Sequence, residues 1–255
     1  LAKLKNFKYY WLAISVYLLL GLYLLYVTYS APFLSIEIDD ENGQWLIIDP
    51  YYKEWANKQD IEAGDIVLEV DHTQINDLPS IMYDSVILSA KVLTILKADG
   101  RTIEIQINHL DIPQQLYYLL IVPACYYFLT LIISIYLYCK QKKDVLLNLL
   151  NMFILTVSLA YVSIGASSKL NNIGIIVNSG SLLLCLVFLI HFLRNYFSFL
   201  EIKWALFKKI QVFYTIPLIA VILSIFSIIY PFARPIISNT ILWLFFVLLI
   251  LIIVH

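Results

Sequence analysis

The chain has 255 residues, of which 61% are apolar and 14% charged, with a mean hydropathy of +0.82. That is far more apolar than an ordinary soluble globular domain. The net charge of −1 sums about −11 between Ala31 and Pro113 and about +10 elsewhere: this stretch holds 16 of the 18 acidic residues against Lys53, Lys58, Lys91, Lys97 and Arg101. Such a split is a topology signal and gives no support to nucleic-acid binding. The three cysteines, Cys125, Cys139 and Cys185, lie in apolar runs, which excludes a disulfide framework or a zinc site in the charged stretch.

In chain order, Lys3, Lys5 and Lys8 precede an apolar run from Tyr9 to Tyr29. The run is too long for a signal peptide and ends in Tyr-Val-Thr-Tyr-Ser without a clear small-residue cleavage site, so residues 1–30 are expected to be a cytoplasmic N-terminus followed by a retained membrane helix. The charged stretch, 31–113, then lies outside the cell membrane. Further runs at 116–138, 145–164, 173–193, 210–229 and 236–255 each approach the ~20 residues needed to cross ~30 Å of hydrocarbon. Alternation places ten lysines and arginines inside and only Lys169 and Arg234 in short outside loops, a consistent inside bias. Between the fourth and fifth spans, Phe197, Leu200, Trp204 and Phe207 recur at helical spacing and predict an interfacial helix near 195–209, a plain loop being the alternative. The expected fold is a multi-pass α-helical bundle of about six spans carrying one small extracytoplasmic α+β domain. Beginning at Leu1 without a methionine and ending inside an apolar run, the chain is expected to be a portion of a longer protein.

Within the charged stretch, Phe33–Ile38 and Trp45–Ile48 read as strands around Asn42-Gly43, a hairpin turn pair whose residues both tolerate positive φ. A short helix is expected over 50–57, a strand over Ile66–Val70 and a helix over Pro79–Leu88, with Ile81, Ser85 and Leu88 on one face. Val92–Leu96 and Thr102–Ile107 form a second hairpin around Asp99-Gly100. The run Ile61-Glu62-Ala63-Gly64-Asp65-Ile66-Val67-Leu68-Glu69-Val70-Asp71 resembles the signature turn and strand of bacterial PDZ domains, and the order of elements after it is similar. The resemblance covers Phe33 to about Ile107 and implies a groove between an edge strand, Phe33–Ile38, and the helix Pro79–Leu88. PDZ domains add a peptide strand beside such an edge. Ser30-Ala31-Pro32 lacks the family's glycine-rich loop, and Asp39-Asp40-Glu41 opposes a free carboxylate, so capture of a peptide C-terminus is not expected. The Gly64-Asp65 turn is expected to serve the fold.

The membrane part carries no enzyme signature. His72, His109, His191 and His255 form no His-Glu-x-x-His pair, and His191, beside Arg194, is expected to be a packed or snorkelling residue. The spans hold no acidic residue, which disfavours a proton-coupled transporter. Asn178, Ser179, Gly180 and Ser181 form a polar patch suited to helix–helix packing. No catalytic residue, metal ligand or cofactor is expected within these residues.

The order of span, extracytoplasmic PDZ-like domain and multi-span bundle resembles the sensor half of ComP-type quorum-sensing histidine kinases of bacilli. Local stretches that carry the likeness are Pro123-Ala124-Cys125-Tyr126-Tyr127-Phe128-Leu129 and Ser158-Leu159-Ala160-Tyr161-Val162-Ser163-Ile164-Gly165. The resemblance implies two further spans and a cytoplasmic kinase core using ATP beyond His255, a homodimer, a cognate response regulator, and a secreted peptide pheromone whose tryptophan carries an isoprenoid. A prenyl chain contributes ~0.8 kcal/mol per buried carbon unit and enriches the peptide in membrane lipid. The candidate ligand-binding residues are Phe33, Tyr117, Tyr118, Asn171, Asn172, Tyr230, Phe232 and Arg234, at the foot of the domain and the outer helix ends. The alternative for the aromatics among them is that they are ordinary interface anchors. The rival readings are a PDZ-bearing membrane scaffold or protease-associated protein, and a transporter-like bundle.

Overall fold

The computed structural model describes residues 2–78, 85–140, 144–201 and 210–254. The chain forms two compact units, one of Val27–Ile121 with Ser168–Leu170 and the other of the remaining residues.

In the first unit, the described residues form seven strands in one antiparallel sheet: β1 (Phe33–Glu41), β2 (Gln44–Pro50), β3 (Ile66–Val70), β4 (Thr73–Gln74), β5 (Val86–Ser89), β6 (Val92–Leu96) and β7 (Thr102–Gln106), together with the helix α2 (Lys53–Lys58) and shorter helical turns. The order is β5-β1-β2-β3-β6-β7, with β4 paired to β3. Asn42 and Gly43 have φ of 56° and 83° between the paired residues Glu41 and Gln44, as a two-residue hairpin requires. Alternate residues Leu34, Ile36 and Ile38 of β1 point into a core completed by Ile47, Val67, Ile87, Leu93, Ile95 and Trp55. The period-two pattern fixes which face is buried.

Two readings change here. Val86–Leu88 is strand, not helix; residues 79–84 of the expected helix lie outside the described residues. Ser85 has a φ of 49°, which breaks any helical run, and the β-branched Val86 and Ile87 pair with Glu37 and Ile36. As a result, β1 is not an edge: β2 lies on one side and β5 on the other. A peptide cannot add a strand where the chain's own strand already sits.

Two aspartates of the run Ile61–Asp71 serve the fold, as expected for Asp65. Asp65 accepts from the Glu62 N–H at 2.8 Å and from Lys97 Nζ at 2.9 Å, and the Lys97 ammonium also donates to the Asp60 carbonyl. Asp71 accepts from the backbone N–H groups of Lys91 and Val92 at 2.6 and 2.9 Å, joining the β3 turn to β6.

The second unit is helical. Its elements are α1 (Ala2–Tyr29), whose last residues belong to the first unit, α3 (Val122–Lys140), α4 (Val145–Ser168), α5 (Asn172–Phe199), α6 (Thr215–Ile229) and α7 (Arg234–Val254). Among the described residues six helical segments are long and apolar enough to cross a membrane: 10–29, 116–140, 145–168, 172–199, 210–229 and 231–254. Both mid-chain span prolines sit where the hydrogen-bond pattern of their span changes. Pro123 follows the π-helical segment Leu116–Ile121, and Pro217 follows a 3₁₀ segment Ile210–Tyr214. Asn195–Phe199, expected in an interfacial helix, instead continues α5; residues 202–209 lie outside the described residues.

Leu183, Leu186 and Ile190 of α5 pack with Ala220 of α6 and Ile237, Ile241 and Leu248 of α7. Ile14 of α1, Leu131 of α3 and Leu155 of α4 form a second cluster. Outward positions such as Leu19, Ile132, Ile222 and Trp243 are apolar and exposed, as a lipid-facing surface demands. Gly174 lets α5 approach α4: a Cβ there would lie 2.7 Å from the Ala166 and Ser167 backbone, the close approach that small residues permit between membrane helices.

Candidate functional site

The candidate ligand-binding residues fall on both units. Phe33 opens β1, and its carbonyl accepts from the Gln115 amide. Tyr117 and Tyr118 lie in the π-helical segment with their rings 5.3 Å apart and nearly perpendicular. Both are exposed. Asn171 caps α5, accepting from the Gly174 N–H at 2.9 Å and donating to the Tyr23 hydroxyl at 3.1 Å. Asn172 is the first residue of α5, and Arg234 the first of α7. Tyr230 and Phe232 pack edge to face at 6.0 Å. Asn171 thus has a structural use, while the two aromatic pairs expose apolar surface.

Within the sheet unit, the structure gathers residues that sequence reasoning had not joined. Lys169, in the short α4–α5 connection, donates to the carbonyls of Val27, Thr28 and Ala31 at the end of α1. The negative end of the helix dipole favours a cation there. Burial, with the nearby charge of Lys91, pulls the ammonium down to about 8. His109 stacks on Tyr29 at 4.8 Å and its Nε2 lies 2.7 Å from the Tyr29 carbonyl. Lys169, His109 and Gln115 border a cavity of about 10 Å³ roofed by Leu116, Leu119 and Leu120, room for about one water. The Gln115 Oε1 is buried there without a partner. Lys169 stood out in sequence only as a rare outside-loop cation. Its partners are backbone carbonyls, which carry no sequence signal.

The helical unit holds a seam of uncharged polar groups. Tyr10 Oη lies 3.3 Å from Ser134 Oγ, Tyr17 Oη 2.5 Å from Ser158 Oγ, and the buried Tyr127 hydroxyl donates to the Tyr17 carbonyl at 2.6 Å. Asn178 donates to the Ala160 carbonyl and Ser163 Oγ, both at 3.1 Å, so it bridges α4 and α5 as the polar patch had led us to expect. His191 is packed, its Nδ1 2.8 Å from the Tyr214 hydroxyl. These contacts tie helices together and need no ion. Among the described residues no group of three or more His, Cys, Asp or Glu is arranged to hold a metal. No family model, characterised protein or solved structure matches this chain.

Proposed function

We propose that the chain is the sensor portion of a two-component histidine kinase that detects a secreted, isoprenylated peptide at the outer face of the bacterial cell membrane. The observation that carries this reading is the architecture itself. One small acidic antiparallel-sheet unit follows the first of the six helical segments, among the described residues, that are long and apolar enough to cross a membrane. The ordered stretches that resemble ComP-type sensors add to it. In this reading the N-terminus is cytoplasmic, residues 31–113 are a PDZ-like domain outside the cell, and a homodimer passes the signal to a kinase core that uses ATP and serves a response regulator. The two-sided pairing of β1 removes strand addition there as the mode of ligand capture and leaves side-chain surfaces to do it. Ligand acts by binding one arrangement of the helices better than another.

The test is binding of the peptide from the source strain's conditioned medium to this chain in nanodiscs, with the same peptide lacking its isoprenoid as the control. Saturable binding that requires the isoprenoid supports a pheromone receptor. Equal binding of both forms, or none by folded protein, contradicts it. Flux of the peptide through proteoliposomes would instead favour the transporter-like reading.

A further inference from the structure

A hollow of about 510 Å³ opens in the sheet unit between the end of α1, the start of β6 and the end of β7, within the size range of small-ligand sites. Tyr29, Lys91, Gln106, Asn108 and His109 supply most of its polar lining. Among the described residues no carboxylate lines it, although the stretch 31–113 carries 16 acidic residues. Tyr29 is also the last residue of the membrane-length segment 10–29, so one wall of the hollow is the end of that segment, where head groups lie when the segment crosses a bilayer.

Its charged groups decide what it can hold. Lys91 is exposed and forms no ion pair among the described residues, whereas Lys53, Lys97 and Arg101 are each paired with an aspartate. Burial, and after it the charge of Lys91, pulls the Lys169 ammonium down, so two cations repel one another here and an anion at Lys91 relieves them. His109 Nε2 lies 2.7 Å from the Tyr29 carbonyl, which can only accept, so the hydrogen sits on Nε2. Nδ1 has no partner among the described residues and donates to an anion once the ring is protonated. Two carboxylates bond to lining residues, but both are held by backbone N–H groups: Asp71 by Lys91 and Val92, Asp111 by Asn108. Their charges favour a guest with one negative charge over a doubly charged phosphomonoester.

We propose that this hollow binds a singly charged phosphodiester, supplied by the head group of an anionic glycerophospholipid. The phosphate oxygens accept from Lys91 Nζ and from His109, and head-group hydroxyls meet the exposed Gln106 amide. Phosphatidylglycerol has this chemistry. Phosphatidylcholine shares the phosphodiester but brings a quaternary ammonium that Lys91 repels. Binding here does not depend on the chain being a peptide receptor.

The whole chain in detergent is titrated with phosphatidylglycerol or phosphatidylcholine, and native mass spectrometry counts the lipids each chain retains. More phosphatidylglycerol than phosphatidylcholine is expected. Lys91→Gln, at an exposed position, should lose one retained phosphatidylglycerol, the affinity for that lipid falling about tenfold. Lys91→Arg keeps the charge and the lipid, and Lys58→Gln, which removes an exposed charge outside the hollow, leaves the count unchanged. Equal counts for the parent and Lys91→Gln overturn the proposal, as does the same loss in Lys91→Arg or Lys58→Gln, or equal retention of phosphatidylcholine. Glycerophosphoglycerol, the same head group without acyl chains, and inorganic phosphate separate the sources. Failure of either to displace that one lipid at equal concentration supports the lipid as occupant. Displacement by glycerophosphoglycerol keeps the phosphodiester site and overturns the lipid as its source, and displacement by inorganic phosphate alone overturns the phosphodiester.

Discussion

Replacing Lys97 by methionine leaves the Asp65 carboxylate buried without its cation. The pair is 2.9 Å apart, with 8% of the lysine side chain and 4% of the aspartate exposed. Water therefore cannot replace the lost partner, and removing one member of such a pair costs about 3–5 kcal/mol. At 1.36 kcal/mol per factor of ten, backbone amides of β3 and β6 in the whole chain in nanodiscs should exchange hydrogen faster by roughly two to four powers of ten, if they open with the sheet. The companion variant Lys97→Met/Asp65→Asn removes the charge and still lets the side-chain oxygen accept from the Glu62 N–H. It should exchange at least about tenfold more slowly than the single variant, since the uncompensated charge is the larger part of the penalty. The pH dependence follows in sign. Burial opposes the Lys97 charge, but the hydrogen bond to Asp65 and the charges of Asp65, Asp60 and Glu62 outweigh it and raise the ammonium above its ordinary value. A base raised in the folded state contributes fully below the unfolded lysine value of about 10.4 and loses its contribution as pH rises through the folded value. Sheet stability should show no contribution from Lys97 titration between neutrality and about pH 9, and should lose the Lys97 contribution above about 10.5. A single variant that exchanges within tenfold of the parent, or a double variant no slower than the single, refutes the reasoning.

Gly174→Ala drives a Cβ against backbone atoms of Ala166 and Ser167 that cannot rotate away, so about 1–3 kcal/mol of bundle stability should be lost in a detergent-unfolding titration. Lys169→Met should speed proteolysis or exchange at Tyr29–Ala31 by removing the donor that three carbonyls share, while Lys169→Arg retains most of the protection. Because the folded Lys169 ammonium sits near 8, the unfolded chain holds a proton that the folded chain has released between about 8 and 10.4. Lys169 therefore makes stability rise with pH across that window, and the slope should vanish in Lys169→Met. A cysteine replacing exposed Lys58 should be labelled by a membrane-impermeant maleimide on intact cells; labelling only after lysis contradicts the extracytoplasmic placement of 31–113.

Much of the fold was legible because it rests on local pattern. The strands Ile66–Val70 and Val92–Leu96 have the bounds their alternation and flanking turns implied, and Asn42-Gly43 turned the chain as its chemistry demands. The apolar runs likewise gave the membrane-length helices to within a few residues. What failed depended on partners distant in sequence. Ile81, Ser85 and Leu88 share a helical spacing, yet Val86–Ser89 is a strand because β1 offers it hydrogen bonds and Ser85 takes a left-handed turn. The stretch from Asn195 is not long or apolar enough to cross a membrane and so reads as a separate interfacial helix, whereas α5 runs on to Phe199. Of the rim residues, Phe33 was visible as a strand start but its tie to Gln115 was not.

The most direct measurement is autophosphorylation of the full-length protein in nanodiscs, with ATP, as a function of the isoprenylated peptide. The account predicts a phosphorylation rate that changes several-fold and saturably with the lipidated peptide and stays at its basal level with the unlipidated one. Autophosphorylation indifferent to the peptide at concentrations that saturate binding, or no phosphotransfer from ATP by folded full-length protein, contradicts it.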